Sequence, residues 1–139
     1  MDWKLEAIVL PVADPDRSKD FYERAGFHLD VDHQPNDEFR VVQFTPPGSA
    51  CSITFGIGLN DERPGCVQGL HLVVNDIEAA RAELAARGVD VSEPFHFGDA
   101  GQAPGLHPER ADFGTYLSFR DPDGNGWLVQ ESGNRPAAA

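Results

Sequence analysis

Basic residues are scarce in this chain of 139: Lys and Arg number 11 against 23 Asp and Glu, giving a formal net charge of −12. A surface so poor in cations offers little to phosphates, so nucleic acid is not an expected partner; the negative field attracts cationic ligands or simply keeps the chain soluble. Cysteine is scarcer still. Cys51 and Cys66 lie outside any CxxC or Cys/His spacing, so both read as structural thiols of a reducing compartment rather than a disulfide or a metal site. No apolar run approaches the roughly 20 residues of a membrane helix, and Met1-Asp2-Trp3-Lys4 has neither the basic stretch nor the apolar core of a signal peptide, so a cytoplasmic chain with no membrane partner is expected. Also missing are a G-x-S-x-G elbow, a basic sequence neighbour for either cysteine, and a glycine-rich phosphate loop with its lysine, which leaves nucleophilic catalysis without support. What is present, 40% hydrophobic and 24% charged residues, suits one globular domain spanning 1–139.

An internal repeat organises that domain. Residues 5–27 and 67–89 share a pattern in which Val12 matches Val74, Asp14 matches Asp76 and Gly26 matches Gly88, each pair 62 positions apart. In each copy apolar residues alternate (Ile8, Leu10, Val12; Leu70, Leu72, Val74), the period of a strand with one face on a core. Each strand then meets an aspartate able to cap a helix: Asp14 before Pro15, with the helix running to Gly26, and Asp76 before a helix over 77–87 that ends at Gly88. Strands are expected near 27–32, 39–45 and 52–57 in the first copy and near 89–95, 116–120 and 126–131 in the second. The expected class is therefore α+β, two tandem β-α-β-β-β modules: module one about 4–58, a linker over 59–67, module two about 68–131 and a loose tail over 132–139. Matching Phe44 to Phe119 leaves 13 extra residues in the second copy, and these fall in 96–113, rich in Gly, Pro and Ala and without a clear period. Such a loop is functional or mobile.

The duplicated unit, the opening L-P-V-A-D-P-D-R-S-x-x-F-Y from Leu10 to Tyr22, and D-P-D-G-N from Asp121 to Asn125 together resemble the vicinal oxygen chelate superfamily of glyoxalases, extradiol dioxygenases, fosfomycin-modifying enzymes and bleomycin-resistance proteins. The resemblance implies curved mixed sheets around a concave cleft, often completed in a homodimer. It leaves function open, because the superfamily hosts several chemistries and plain binders. Asp14, Phe21, Tyr22 and the Asp121–Asn125 turn read as scaffold: a cap, helix packing and a chain reversal.

The resemblance also implies where a metal would sit, and this chain lacks the ligands. The inherited places on the first strands are Ala7 and Gly69; the place three residues after Asn125 is Leu128, and its counterpart in the first copy is Ser52. One hydroxyl among four positions cannot hold a divalent ion, so no metal and no other cofactor is expected unless the ligands have moved. Relocated candidates are His71, two residues beyond Gly69, and Gln130, two beyond Leu128. Glu131 alternates to the opposite face, and His28 and His33 belong to the surface.

The expected pocket draws polar contacts from His71, Gln130 and Thr54 and apolar area from Val9, Val73, Leu128 and either Phe113 or Trp127, although alternation sends Trp127 away from Leu128. Phe95, Phe97, Phe113, His96 and His107 among the glycines of the insert suit a lid over it. Three functions compete. The first is a metal-free binder of a small molecule, aromatic or cationic, acting by sequestration or resistance. The second is a glyoxalase-like lyase or isomerase, or a dioxygenase-like enzyme, with relocated metal ligands or with His71 as catalytic acid-base and Tyr116 or Glu38 as partner. The third is a regulatory or scaffolding role in which exposed aromatics such as Trp3 mark an interface.

Overall fold

The computed structural model describes residues 1–133. It is α+β, with two helices and two mixed, unclosed sheets, in the element order β1 (Ala7–Val9), α1 (Pro15–Ala25), β2 (His28–Asn36), β3 (Phe39–Thr45), β4 (Ser52–Ile57), β5 (Leu70–Val74), α2 (Ile77–Ala86), β6 (Phe95–Gly98), β7 (Gly101–Pro104), β8 (Thr115–Arg120) and β9 (Gly126–Glu131). The chain divides into two compact units: 1–68 with 121–125, and 69–120 with the chain from 126 onward.

In the first unit the sheet order is β1-β4-β3-β2, with β1 parallel to β4 and the other pairs antiparallel. The strand before the helix thus pairs with the last strand of its own module. Helix α1 starts where the Asp14 carboxylate accepts from the backbone N–H groups of Asp16 and Arg17, and stops at Gly26, whose φ of 95° is the left-handed conformation that glycine adopts without strain. It lies on β3 and β4, so Tyr22 stands over Phe44 and Phe55, with ring centroids 6.1 and 5.7 Å away. Leu10, Val42, Phe44, Ile53 and Phe55 fill that side.

The Asp121–Asn125 turn belongs to this first unit and is its polar hub. Asp121, 5% exposed, accepts from the Tyr22 hydroxyl (2.9 Å), from the N–H of Asp123 and Asn125, and from the Asn125 amide. Asn125 also donates to the Pro11 carbonyl and accepts from the Val67 N–H, while Asp123 accepts from the Ala13 N–H and from Arg17. Every donor and acceptor of a buried turn needs such a partner. Strand β2 runs past the expected 27–32 as far as Asn36, carrying Pro35 within a register shift between His33 and Asn36; β2 is an edge strand, where a missing N–H breaks no inner ladder.

The second unit has the order β5-β9-β8-β6-β7, with β5 parallel to β9. Asp76 caps α2 by accepting from the N–H groups of Glu78 and Ala79. The helix lies on β8 and β9, its own Ile77 buried along with Leu117 and Val129 of the sheet, beside a stacked Phe119–Trp127 pair at 5.7 Å.

Two expectations need correction here. The strand near 89–95 begins only at Phe95, because Pro94 has no N–H to give a ladder and the polar groups of Ser92 go elsewhere: its N–H to the Ser118 carbonyl, its carbonyl to Arg81 and its hydroxyl oxygen to the Ser118 N–H. The insert over 96–113 is not a periodless loop. Its first part is the hairpin β6–β7, reversing at Asp99-Ala100, and β7 is an extra edge strand beyond the four of the module. The tail expected over 132–139 lies, from 134 onward, outside the described residues.

Candidate functional site

Each sheet has a face turned away from its helix. On the first unit that face carries Ala7, Val9, Gln43, Ser52 and Thr54, because Ala7 pairs with Ser52, Val9 with Thr54 and Gln43 with Thr54. Val9 is 42% exposed, whereas Thr54 and Ser52 are buried. Ser52 is fully engaged. Thr45 gives its hydroxyl proton to the Asp30 carboxylate, so across the 2.7 Å contact between Ser52 and Thr45 it is Ser52 that donates. Gln43 in turn donates to Ser52 at 3.4 Å. The relay Gln43 to Ser52 to Thr45 to Asp30 was not foreseen; only the pairing register, with Gln43 and Thr45 on β3 beside β4, could have signalled it.

On the second unit the open face carries His71 and Val73 from β5, Leu128 and Gln130 from β9, and Tyr116 and Ser118 from β8, through the pairs His71–Leu128, Val73–Gln130, Tyr116–Gln130 and Ser118–Leu128. Phe95 pairs with Tyr116 and extends the face onto β6. Gln130 is at the centre: its Oε1 lies 2.8 Å from His71 Nε2, and its amide nitrogen donates to the Phe113 carbonyl (2.8 Å) and to the Tyr116 hydroxyl oxygen (3.0 Å). Around it stands an aromatic cluster, with Tyr116 stacked on Phe95 at 5.8 Å, edge-on to Phe97 at 5.4 Å and 6.4 Å from the His71 ring. Phe97, Val73 and Phe113 are each half exposed or more. These apolar surfaces face outward around a handful of polar atoms, the composition of a small-molecule site.

Of the residues singled out in the sequence, the structure thus gathers His71, Val73, Phe113, Leu128 and Gln130 on the second unit and places Val9 and Thr54 on the first. Trp127, 4% exposed against Phe119, belongs to the helix-covered face and supplies no area to the open one, since its neighbour Leu128 takes the opposite side of the pleat. His28 and His33 are exposed.

Phe113 owes its place to a clamp that sequence reasoning missed. Arg110 and Phe113 hold left-handed φ values of 51° and 58°, uncommon for residues with side chains. The Arg110 guanidinium donates to both oxygens of buried Glu131 at 2.7 and 2.8 Å and contacts Glu78 at 3.1 Å, while Glu131 also accepts the Ile77 N–H at the start of α2. Hydrogen bonding to Glu131 raises the Arg110 pKa. Within the turn, His107 Nδ1 accepts from the N–H of Glu109 and of Ala111, and the His107 N–H donates to the buried Thr115 hydroxyl. Glu131 and Gln130, neighbours on one strand, therefore grip the same turn from opposite faces.

The inherited metal places do not fit a divalent ion. Ala7 and Gly69 have no side-chain donor, Leu128 is a hydrocarbon and the Ser52 hydroxyl is committed to its relay. Among the described residues no group of three or more His, Cys, Asp or Glu side chains could hold a metal ion. The relocated candidates, His71 and Gln130, are bonded to each other.

A tandem module in which the first strand lies parallel to the last, built twice with one helix on each sheet, defines the glyoxalase/bleomycin-resistance class of fold. The family model of the Glyoxalase/Bleomycin resistance protein/Dioxygenase superfamily matches residues 4–129, and the chain belongs to that superfamily. Among solved structures it is similar to TnmS3, an antibiotic binding protein from Streptomyces sp. CB03234, at 31% identity over 95% of this chain and 98% of that one, with a TM-score of 0.72. A glyoxalase/bleomycin resistance protein from the same Streptomyces strain is 32% identical over 92% of this chain and 100% of that one, with a TM-score of 0.68. A superfamily member from Sphaerobacter thermophilus DSM 20745 is 27% identical over 94% and 98%, with a TM-score of 0.71. No curated protein matches the chain. Family and neighbours together support small-molecule binding. No helix among the described residues is long and apolar enough to cross a membrane.

Proposed function

We propose that the protein binds a small aromatic molecule on the open face of its second sheet, without a metal, and holds it rather than transforming it, so that it acts by sequestration or resistance. The observation that carries this reading is the cluster of Phe95, Phe97 and Tyr116 around the Gln130–His71 pair, on a unit whose own inherited ligand places, Gly69 and Leu128, supply no side-chain donor. The name of TnmS3, an antibiotic binding protein, supports an antibiotic as the kind of ligand. The reading includes a homodimer that covers exposed strand edges and a cytoplasmic location in which the free thiols Cys51 and Cys66 stay reduced.

The test is calorimetric titration with a panel of aromatic natural-product antibiotics, run with and without EDTA, with the compound recovered for mass spectrometry. Saturable binding, indifferent to chelator, with compound recovered intact supports the reading. Turnover abolished by EDTA and restored by one divalent ion overturns it. Light scattering should give about twice the 15.1 kDa chain mass.

A further inference from the structure

The hydrogen bonds on the open face of the second sheet have only one consistent direction. The Phe113 carbonyl is an acceptor and nothing else, so the Gln130 group facing it at 2.8 Å is the NH2, and Oε1 must face His71. An amide oxygen only accepts, so Nε2 of His71 carries a proton, and in the neutral form of the ring that makes Nδ1 a bare acceptor. Among the described residues Nδ1 has no partner. The other N–H of Gln130 goes to the Tyr116 oxygen, so that oxygen is an acceptor within the network and its own O–H has no acceptor among the described residues. A backbone carbonyl thus sets, through one glutamine, the polarity of two side chains beside the same aromatic cluster.

We infer that this face presents one acceptor of fixed sense, His71 Nδ1, and one donor, Tyr116 O–H, and so selects a neutral planar aromatic ligand bearing an N–H or O–H donor beside a carbonyl acceptor. The inference rests on the small-molecule reading above and adds the hydrogen-bond pattern of the ligand. The ring of the ligand lies against Tyr116 and Phe97, its donor meets His71 and its carbonyl meets Tyr116. A ligand with two acceptors leaves Nδ1 facing a lone pair, and an unmade hydrogen bond in a partly desolvated site costs more than a made one contributes.

The test has two independent arms on the full chain. In the first, long-range proton–nitrogen NMR of histidine-labelled protein at about pH 8, where an ordinary imidazole is neutral, reads the His71 tautomer, assigned by its loss in His71→Phe. The expected form carries the proton on Nε2; a proton on Nδ1 overturns the inference whatever binds. In the second, 2-quinolinone, a lactam with adjacent N–H and C=O, and N-methyl-2-quinolinone, which lacks the donor, are titrated and followed by side-chain shifts. The lactam should bind about three- to tenfold more tightly, one hydrogen bond's share. His71→Phe should abolish that discrimination, and Tyr116→Phe should weaken both probes by a similar factor while keeping their ratio. Equal binding of the two probes overturns the hydrogen-bond pattern and leaves the binding reading standing. Failure of both probes to bind at millimolar concentration, with the expected tautomer, overturns the binding reading and the ligand class with it.

Discussion

Replacing Asp32 with Asn removes the negative charge and one of the two acceptor oxygens from a charge network that ties α1 to the first sheet, and its effect should depend on pH in a defined way. Arg40, on β3 and only 9% exposed, donates through Nε and Nη2 to the two oxygens of Asp32 at 3.0 and 2.9 Å and through Nη1 to Asp16 on α1 at 2.7 Å. Lys19 reaches Asp32 from α1 at 2.9 Å. The hydrogen bonds from Arg40, then those from Lys19, hold the Asp32 carboxyl down from 3.8 to about 2, and Asp32 in turn raises the pKa of both Lys19 and Arg40. A carboxylate whose folded value is depressed stabilises the folded state fully above its unfolded value and loses that contribution as pH falls through the folded one. The gap corresponds to about 2.5 kcal/mol at most; since 24% of the Asp32 side chain faces solvent, about 1–2 kcal/mol is the working figure. Urea denaturation of the wild type and Asp32→Asn at several pH values isolates the effect, because every other carboxylate titrates in both proteins and cancels in the difference. The gap should be about 1–2 kcal/mol near pH 6, begin to close below about pH 4, and shrink to a few tenths near pH 2. A gap that stays constant from about pH 6 to pH 2, or no gap at all near pH 6, refutes the reasoning.

Tyr22→Phe keeps the ring contacts but withdraws the donor to buried Asp121, and should cost about 1–2 kcal/mol, read as a fall of about 3–8 °C in Tm. At Gly65, where φ is 82° and an added Cβ would lie 2.0 Å from the Asp123 carbonyl oxygen, alanine should cost about 3 kcal/mol or more, whereas alanine at Gly124, with φ of 97° and open space, should cost only about 1 kcal/mol; chemical denaturation of the pair checks the contrast. Arg110→Ala leaves the Glu131 carboxylate without its guanidinium and should lower stability by about 2–3 kcal/mol, with faster amide exchange across 107–114 than at β3 and β4.

The repeat was legible because its signals are local. The aspartate caps, the glycine stops and the two-residue alternation of Ile8, Leu10 and Val12 each depend on a few neighbouring residues, and helices and strand faces follow from them directly. The β6–β7 hairpin escaped because its turn is Asp99-Ala100 rather than Asn-Gly or Asp-Gly, and because β7, Gly-Gln-Ala-Pro, carries no β-branched or aromatic residue. Its one signal, Phe95 and Phe97 two apart and so on the same face, was present and read as part of a lid. The Asp121–Asn125 hub escaped for a different reason. The motif reads as a turn, and a turn it is, but its partners Tyr22, Pro11 and Ala13 lie about a hundred residues earlier, and nothing in a single sequence announces a hydrogen bond over that separation.

The same division between local and distant runs through the site. Alternation along β5 and β9 sorts His71 and Val73, and Leu128 and Gln130, onto one face, and it sends Glu131 to the other, where the structure has it capping α2 and holding Arg110. Alternation says which residues share a face but not which of them touch. The contact between His71 and Gln130 depends on β5 lying parallel to β9 in a register that sets His71 beside Leu128, and the role of Tyr116 depends on β8 setting it opposite Gln130. A slip of two residues in either pairing would keep the same side chains on the face and dissolve their hydrogen bonds, and a slip of one would turn the opposite side chains outward. The chemistry of this face is therefore a property of strand register, and register is held by the buried side of the same strands, by Val129, Leu117 and the Phe119–Trp127 stack.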